Sequence, residues 1–96
     1  MWRNNPVNYR IKSNNEKFDN LAEFIDNLER GGEIEFVYNS KNFSITHSDG
    51  KLCLIEQSKD QSMVDFNNIQ ELLEYVIDDK KIKDVVTIIQ PFFRCF

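Results

Sequence analysis

The feature that most constrains the fold is a set of three alternating apolar runs between residues 33 and 54. Each run places large apolar side chains at every second position, which is the period of a β-strand. The dipeptides Asn39-Ser40 and Asp49-Gly50 separate the runs, and both are suited to two-residue hairpin turns. The pairs that such turns produce are Ile34 with Ile45, Phe36 with Phe43, and Ile45 with Leu54. Because a shift of one residue would turn these side chains to solvent, the sequence predicts an antiparallel three-stranded meander in this register.

The segment before the meander has the spacing and the end signals of a helix over residues 20–30. Its apolar positions recur on one helical face at Phe18, Leu21, Ile25 and Leu28. Asn20 followed by Glu23 has the form of a capping box, and Gly31-Gly32 supplies a left-handed stop. Both ends of this first helix are therefore marked in the sequence.

The segment after the meander begins in the same way. Residues 66–73, Phe-Asn-Asn-Ile-Gln-Glu-Leu-Leu, repeat the pattern of residues 18–25, Phe-Asp-Asn-Leu-Ala-Glu-Phe-Ile. We interpret this as the same N-terminal capping motif used by two helices and not as a duplicated domain, because the segments that follow differ entirely. A second helix is expected from about Asn68. The triplet Asp78-Asp79-Lys80 interrupts it and apolar spacing resumes up to Pro91, which indicates a short third helix or a kinked continuation.

The two ends of the chain differ from this central part. Residues 1–6 are interpreted as a loose lead-in, and the alternation over residues 7–12 predicts an additional edge strand. Residues 91–96 form an aromatic tail, expected to dock on the second face of the sheet, over Val37, Cys53 and Ile55, or on a partner or second copy. The predicted fold is one α+β domain over residues 1–96, with the meander packed against two or three helices in the order (β)αβββαα.

Composition limits the classes of function. The 96 residues carry a net charge of −4, which disfavours nonspecific binding to nucleic acid or to an anionic membrane. No apolar run reaches the ~18 residues of a membrane span and no signal peptide is evident, so we expect a cytoplasmic protein.

Cys53 and Cys95 are expected to be free thiols, with no spacing for a metal site, and no cofactor is expected. The run from His47 to Asp49 has the letters of a hydrolase triad, but it lies at a predicted turn, so no enzyme is expected.

The distribution of charge is more informative than any motif. Residues 16–35 carry seven acidic residues against two basic ones, residues 61–79 carry five acidic residues alone, and the two ends are basic. Acids near helix N-termini can simply complement the helix dipole. Alternatively, Glu23, Asp26, Glu33 and Glu35, with Glu71 and Glu74, form a surface that docks on a basic partner protein. The apolar anchors of such an interface are then expected to be Phe92, Phe93 and Phe96.

The runs over residues 33–45, 49–54 and 69–73 also carry a resemblance. They resemble a group of small uncharacterised proteins of low-GC Gram-positive bacteria and their mobile elements, over about residues 18–89. The resemblance implies a helix, β-meander, helix layout and no particular activity. This chain has Asn39-Ser40 where that group usually has Asn-Gly, and Asp78-Asp79-Lys80 where it often has Asp-Gly-Lys; both departures affect turns only.

Small size, acidity and the lack of catalytic motifs favour a stoichiometric protein inhibitor. Two forms are a toxin-immunity protein and a phage or plasmid anti-defence protein of the anti-CRISPR kind. The alternative is a self-associating structural or regulatory module, in which the sheet face and the aromatic tail pair two copies as a homodimer. A small enzyme that uses His47 as its base is the least favoured hypothesis.

Overall fold

The structure is a computed structural model that describes residues 16–57 and 61–95. The predicted lead-in, the additional edge strand over residues 7–12 and Phe96 lie outside these residues. The described elements, in chain order, are α1 (Leu21–Glu29), β1 (Glu33–Tyr38), β2 (Lys41–Ser48), β3 (Lys51–Gln57), β4 (Ser62–Phe66), α2 (Ile69–Glu74), β5 (Val76–Ile77), β6 (Lys80–Lys81), α3 (Ile82–Val85) and β7 (Gln90–Cys95). The α+β class is therefore confirmed.

The predicted register of the meander is confirmed. The paired residues are Ile34 with Ile45, Phe36 with Phe43, and Ile45 with Leu54. Both connecting turns have positive φ at their two central residues, at Asn39 (51°) and Ser40 (64°) and at Asp49 (53°) and Gly50 (77°). Turns of this kind match the right-handed twist of the strands that they join, which explains why two local dipeptides set the register of the whole hairpin system.

The extent of the sheet differs from the prediction. The meander has four strands, because Ser62–Phe66 pairs with β3, and the main sheet has five strands in the order β4-β3-β2-β1-β7. The prediction that the aromatic tail docks on the second face of the sheet is wrong. The tail forms β7, which pairs antiparallel with β1 at the sheet edge and is interrupted by one register shift. Pairing with β1 satisfies the backbone groups that the tail directs toward β1, which docking on a face would leave without partners.

The predicted interruption after the second helix is a hairpin. Tyr75 ends α2 in an extended conformation, and the strands β5 and β6 pair on either side of Asp78-Asp79. Asp78 has a φ of 63°, in the left-handed region that turns require. The Tyr38 hydroxyl at the end of β1 donates to Asp79 at 2.7 Å, and Asn39 in the β1–β2 turn donates to Asp78 at 2.6 Å, so both contacts hold this hairpin in place. The third helix is consequently separate and short, and it is not a kinked continuation of α2.

Both predicted helix caps are present. Asn20 accepts a hydrogen bond from the Glu23 backbone N–H at 2.9 Å, and Asn68 accepts one from the Glu71 N–H at the same distance. In each box the glutamate accepts in return from the N–H of the residue before the cap, at 2.7 Å from Asp19 and 2.9 Å from Asn67. The repeated sequence pattern thus encodes one repeated local structure.

The sheet has two unlike faces. The inner face packs against all three helices, and the core cluster combines strand residues such as Ile34 and Phe36 with helix residues such as Phe24, Leu72 and Val85. On the outer face, which carries the alternate residues of each strand, no described element packs. The molecule is therefore a two-layer structure over the residues described, with helices on one side of the sheet only.

Candidate protein-binding surface

The alternation of the strands assigns a defined set of side chains to the outer face. Strand β1 contributes Glu33, Glu35 and Val37, and β7 contributes Phe93 opposite Glu35. The central and far strands contribute Ser44, Thr46, Lys51, Cys53, Ile55, Met63 and Asp65. None of these residues belongs to the core cluster.

The outer face combines apolar area with negative charge. Met63 is 63% exposed, and Val37 and Ile55 are half-buried. Among the described residues of this face, the acids Glu33, Glu35 and Asp65 stand against a single lysine, Lys51. No described element packs on this face, but Ser44 and Cys53 near its centre are buried, so its exposed apolar area lies toward the edge strands, at Met63 and Phe93.

The structure divides the four predicted acidic contacts between two sides of the molecule. Glu33 and Glu35 lie together on the outer face, beside Phe93. Glu23 and Asp26 lie on α1, which packs on the inner face. The four carboxylates therefore do not form one continuous surface, and their roles in binding a partner stay predictions.

Glu23 has a structural role within the fold. One of its carboxylate oxygens accepts from the Asp19 N–H, and the other accepts from Arg94 Nη2 at 3.2 Å. The Arg94 side chain is only 5% exposed, donates to the Glu16 carbonyl oxygen at 3.1 Å and lies 4.0 Å from the centre of the Phe18 ring. This Arg94 contact joins β7 to the start of α1, a role that sequence reasoning missed because Arg94 lies within an aromatic run.

Two other acids on the helices, Asp26 and Glu74, also have local contacts. Asp26 pairs with Arg30 one turn along α1 at 2.9 Å, in an exposed ion pair. Glu74 accepts from Lys81 and from Lys83, both at 2.7 Å. Hydrogen bonds from these two lysines lower the pKa of Glu74 to about 2. Asp26 and Glu74 thus have local ion-pair partners, but neither lies in the first turn of its helix. The first-turn acids of α1 and α2 are Glu23 and Glu71, which are the two that can complement the helix dipole.

The three predicted aromatic anchors have different positions. Phe93 lies half-buried on the outer face opposite Glu35, and Phe92, at the register shift in β7, is 42% exposed. Phe96 lies outside the described residues. Only Phe93 is therefore placed beside two of the predicted acidic contacts.

His47 has a contact that explains its position. It lies opposite Leu52, as the register predicts, and its Nε2 atom is 3.0 Å from the Gly32 carbonyl oxygen, which accepts the hydrogen bond. The imidazole thereby ties the end of β2 to the residue that follows the α1 stop. Within the described ranges, no cluster of three or more potential metal ligands is found.

The two cysteines are far apart in the sheet. Cys53 lies in β3 and Cys95 in β7, with β2 and β1 between them. At the usual strand spacing their Cα atoms are about 14 Å apart, whereas a disulfide needs about 7 Å or less. The pKa of the Cys53 thiol is raised, mainly by burial and secondly by a hydrogen bond with Asp65. A disulfide between these two residues is incompatible with the sheet order, and Cys53 is a free thiol.

Comparison with protein families, curated proteins and solved structures found no match. The resemblance to small proteins of low-GC Gram-positive bacteria therefore stays a prediction. Over the residues that are described, the longest helix has nine residues, and none has the length and apolar character that a membrane crossing requires.

Proposed function

We propose that this chain is a small, non-catalytic inhibitor that binds a basic surface of a target protein through the outer face of its sheet. The observation that carries the proposal is the composition of that face, which sets Glu33, Glu35 and Asp65 beside Val37, Ile55, Met63 and Phe93. Apolar side chains on one surface together with charged ones are typical of specific protein interfaces. Here each edge of the face has both kinds, with Phe93 opposite Glu35 and Met63 in the same strand as Asp65. The carboxylates would steer the face toward a cationic site on the target.

Two kinds of inhibitor have this chemistry. An anti-defence protein of the anti-CRISPR kind can occupy a groove that its target uses for phosphates, and an immunity protein can cover the active site of a toxin. Both kinds act by stoichiometric occupancy, so neither needs a catalytic group. We expect the target to be a nucleic-acid-binding or otherwise basic protein, and we expect the complex to form in the cytoplasm.

The alternative, pairing of two copies through the sheet face and the tail, is less well supported. A symmetric face-to-face dimer would bring the Glu33 and Glu35 side chains of both copies to the same interface, where like charges oppose association. The tail backbone is already paired with β1 of its own chain. Both observations favour a different protein, with a basic surface, as the partner.

A charge-reversal series tests the proposal. The tagged chain is used to capture proteins from a bacterial host lysate, alongside a Glu33→Lys/Glu35→Lys variant. A matched control, Glu29→Lys/Asp84→Lys, makes the same change in net charge at exposed positions on two helices. We expect one captured protein to be inhibited by the wild-type chain at a 1:1 ratio, and expect the outer-face variant to bind it at least ~10-fold more weakly than the control variant.

Two results contradict the proposal. One is equal binding of the captured protein by the outer-face variant and by the control. The other is binding with no effect on any activity of the captured protein. Because the interface is charged, the dissociation constant of the wild-type complex should also rise with ionic strength.

A further inference from the structure

The backbone of β4 has hydrogen-bonding groups that point away from the sheet. The two residues that flank the two-residue turn between β2 and β3 form a hydrogen-bonded pair. Along an antiparallel ladder, hydrogen-bonded pairs alternate with pairs that are not hydrogen-bonded. By this alternation Leu54 directs its backbone groups toward β4 and bonds to Val64. The N–H and C=O groups of Met63 and Asp65 consequently point to the opposite side, where no described strand lies.

The β7 edge of the sheet carries features that prevent a further strand from adding, whereas the β4 edge, with which no described strand pairs, lacks those features. In β7, Pro91 has no N–H group, the pairing with β1 shifts register between Glu35 and Phe36, and Arg94 directs a charge inward. Proline, irregular pairing and inward charge are all devices that prevent a further strand from adding to an edge. Strand β4 contains none of them: its pairing with β3 is regular and its inward side chains are uncharged.

A cavity of about 140 Å³ lies beside β4 on the inner side of the sheet. Val64, Tyr75 and Val76 supply its apolar wall, and Glu56 and Asp78 supply carboxylates. Lys41 pairs with Asp78 at 3.0 Å, so two carboxylates stand against one lysine at this place. The cavity therefore suits the methylene stem and the cationic head of a lysine or arginine side chain.

We propose that the edge of β4 accepts an extended, basic segment of a partner protein as an additional strand. In this arrangement the backbone of the segment bonds to Met63 and Asp65. The residue opposite Val64 points to the inner side, and its lysine or arginine side chain enters the cavity beside Glu56. This site uses a backbone edge and is distinct from the outer face, so it does not depend on the function proposed above.

The test uses a synthetic peptide and the full chain. The probe is acetyl-Thr-Val-Thr-Arg-Thr-Val-Thr-amide, in which Val, Arg and Val share one face of a strand, and a second peptide has Glu in place of Arg. Backbone amide NMR follows the titration. We expect binding of the arginine peptide at least ~10-fold tighter than that of the glutamate peptide, with increased protection of the Met63 and Asp65 amides from exchange.

Two variants separate the backbone and side-chain contributions. Met63→Pro removes the outward N–H and should weaken arginine-peptide binding about 10-fold, whereas Met63→Ala keeps that N–H and should change binding less than about 2-fold. Glu56→Gln leaves the backbone edge intact, so it tests the site even if the proline variant does not fold. It should reduce the preference for arginine over glutamate.

Several outcomes overturn the proposal. They are no binding of the arginine peptide at millimolar concentration, equal affinity for both peptides, or protection of amides in β7 instead of β4. A concentration-dependent dimer that protects Met63 and Asp65 without peptide would assign the edge to a second copy, which also contradicts it. The Glu33→Lys/Glu35→Lys variant should bind the peptide like wild type, so failure of either proposal can be recognised separately.

Discussion

The two edge strands of the sheet have the same antiparallel pairing and very different side-chain contacts. Strand β7 directs Pro91 and Arg94 into the structure, and Arg94 joins it to Glu23 and to the Glu16 backbone. Strand β4 directs Val64 and Phe66 inward, and its remaining contacts are largely with β3. Strand β7 is therefore held by backbone pairing together with a buried charge. Strand β4 is held by backbone pairing together with apolar contacts.

This difference has a consequence for stability and for binding. A buried charge with its partners cannot be removed singly without leaving the other groups unpaired, so β7 is expected to be sensitive to substitution. An apolar edge strand tolerates changes on its solvent side, because those side chains and backbone groups have few partners. The described part of the chain thus combines one edge fixed by side chains, β7, with one edge, β4, whose outward backbone groups pair with no described strand.

The largest expected effect is at the fixed edge. Arg94→Ala should lower the free energy of unfolding by about 3 kcal/mol, because it removes the buried guanidinium that donates to one Glu23 carboxylate oxygen and to the Glu16 carbonyl oxygen. The measurement is urea unfolding followed by circular dichroism. Met63→Ala on β4 is the matched control and should change stability by less than about 0.5 kcal/mol. A loss below about 1 kcal/mol for Arg94→Ala would show that the buried charge does not hold β7.

The second effect distinguishes the two sides of the β4 backbone. Val64→Pro removes an N–H that bonds to β3 and should cost about 1–3 kcal/mol, because the Leu54 carbonyl loses its donor. Met63→Pro removes an N–H that points to the free edge and should cost less than Val64→Pro by at least about 1 kcal/mol. Urea unfolding of both variants measures the difference. Equal losses would contradict the assignment of the free backbone groups.

These two edges also show what the sequence could and could not predict. The register of β1, β2 and β3 was predictable, because alternation and two-residue turns are local signals. Strand β4 has a local signal as well, because Val64 and Phe66 alternate with polar or exposed positions. This signal covers only five residues, between a polar run and a clear helical pattern, so it was too short to predict a strand. The pairing of β7 with β1 joins distant parts of the chain, and no local pattern specifies it.

The candidate surface was predictable to a similar degree. Glu33 and Glu35 alternate with Ile34 and Phe36, so their common outward direction follows from the strand period. The separation of Glu23 from them was not predictable, because it depends on which face of the sheet α1 covers and on the contact with Arg94. Charge counted along the chain therefore identified acidic segments, and only the fold shows which acids share a surface.

A third, smaller effect compares the two helix caps. Asn20→Ala and Asn68→Ala each remove a side-chain acceptor at a helix N-terminus and should each cost about 1 kcal/mol. The Asn20 variant should be the more damaging, because the Asn20 box also orients the Glu23 carboxylate toward Arg94 at the fixed edge. Urea unfolding of both variants measures this difference. Equal losses would mean that the cap and the Arg94 contact act independently.

The smallest effect is the pH dependence of the exposed ion pairs on the β4 side, where Glu74 accepts from Lys81 and Lys83. Its pKa is lowered from 4.5 to about 2, so the folded state holds a proton there less readily than the unfolded state. A lowered carboxylate pKa adds stability above pH 4.5, and this contribution disappears as the pH falls from 4.5 toward about 2.

The wild-type chain should therefore melt at a higher temperature than Glu74→Gln near neutral pH, and the gap should close as the pH falls through that window. The gap should also be small and should shrink with added salt, because all three side chains are substantially exposed. Glu29→Gln on α1 is the control and should show a smaller dependence. A gap that is unchanged at pH 2 would mean that Glu74 stabilises α2 and β6 through packing and not through its charge.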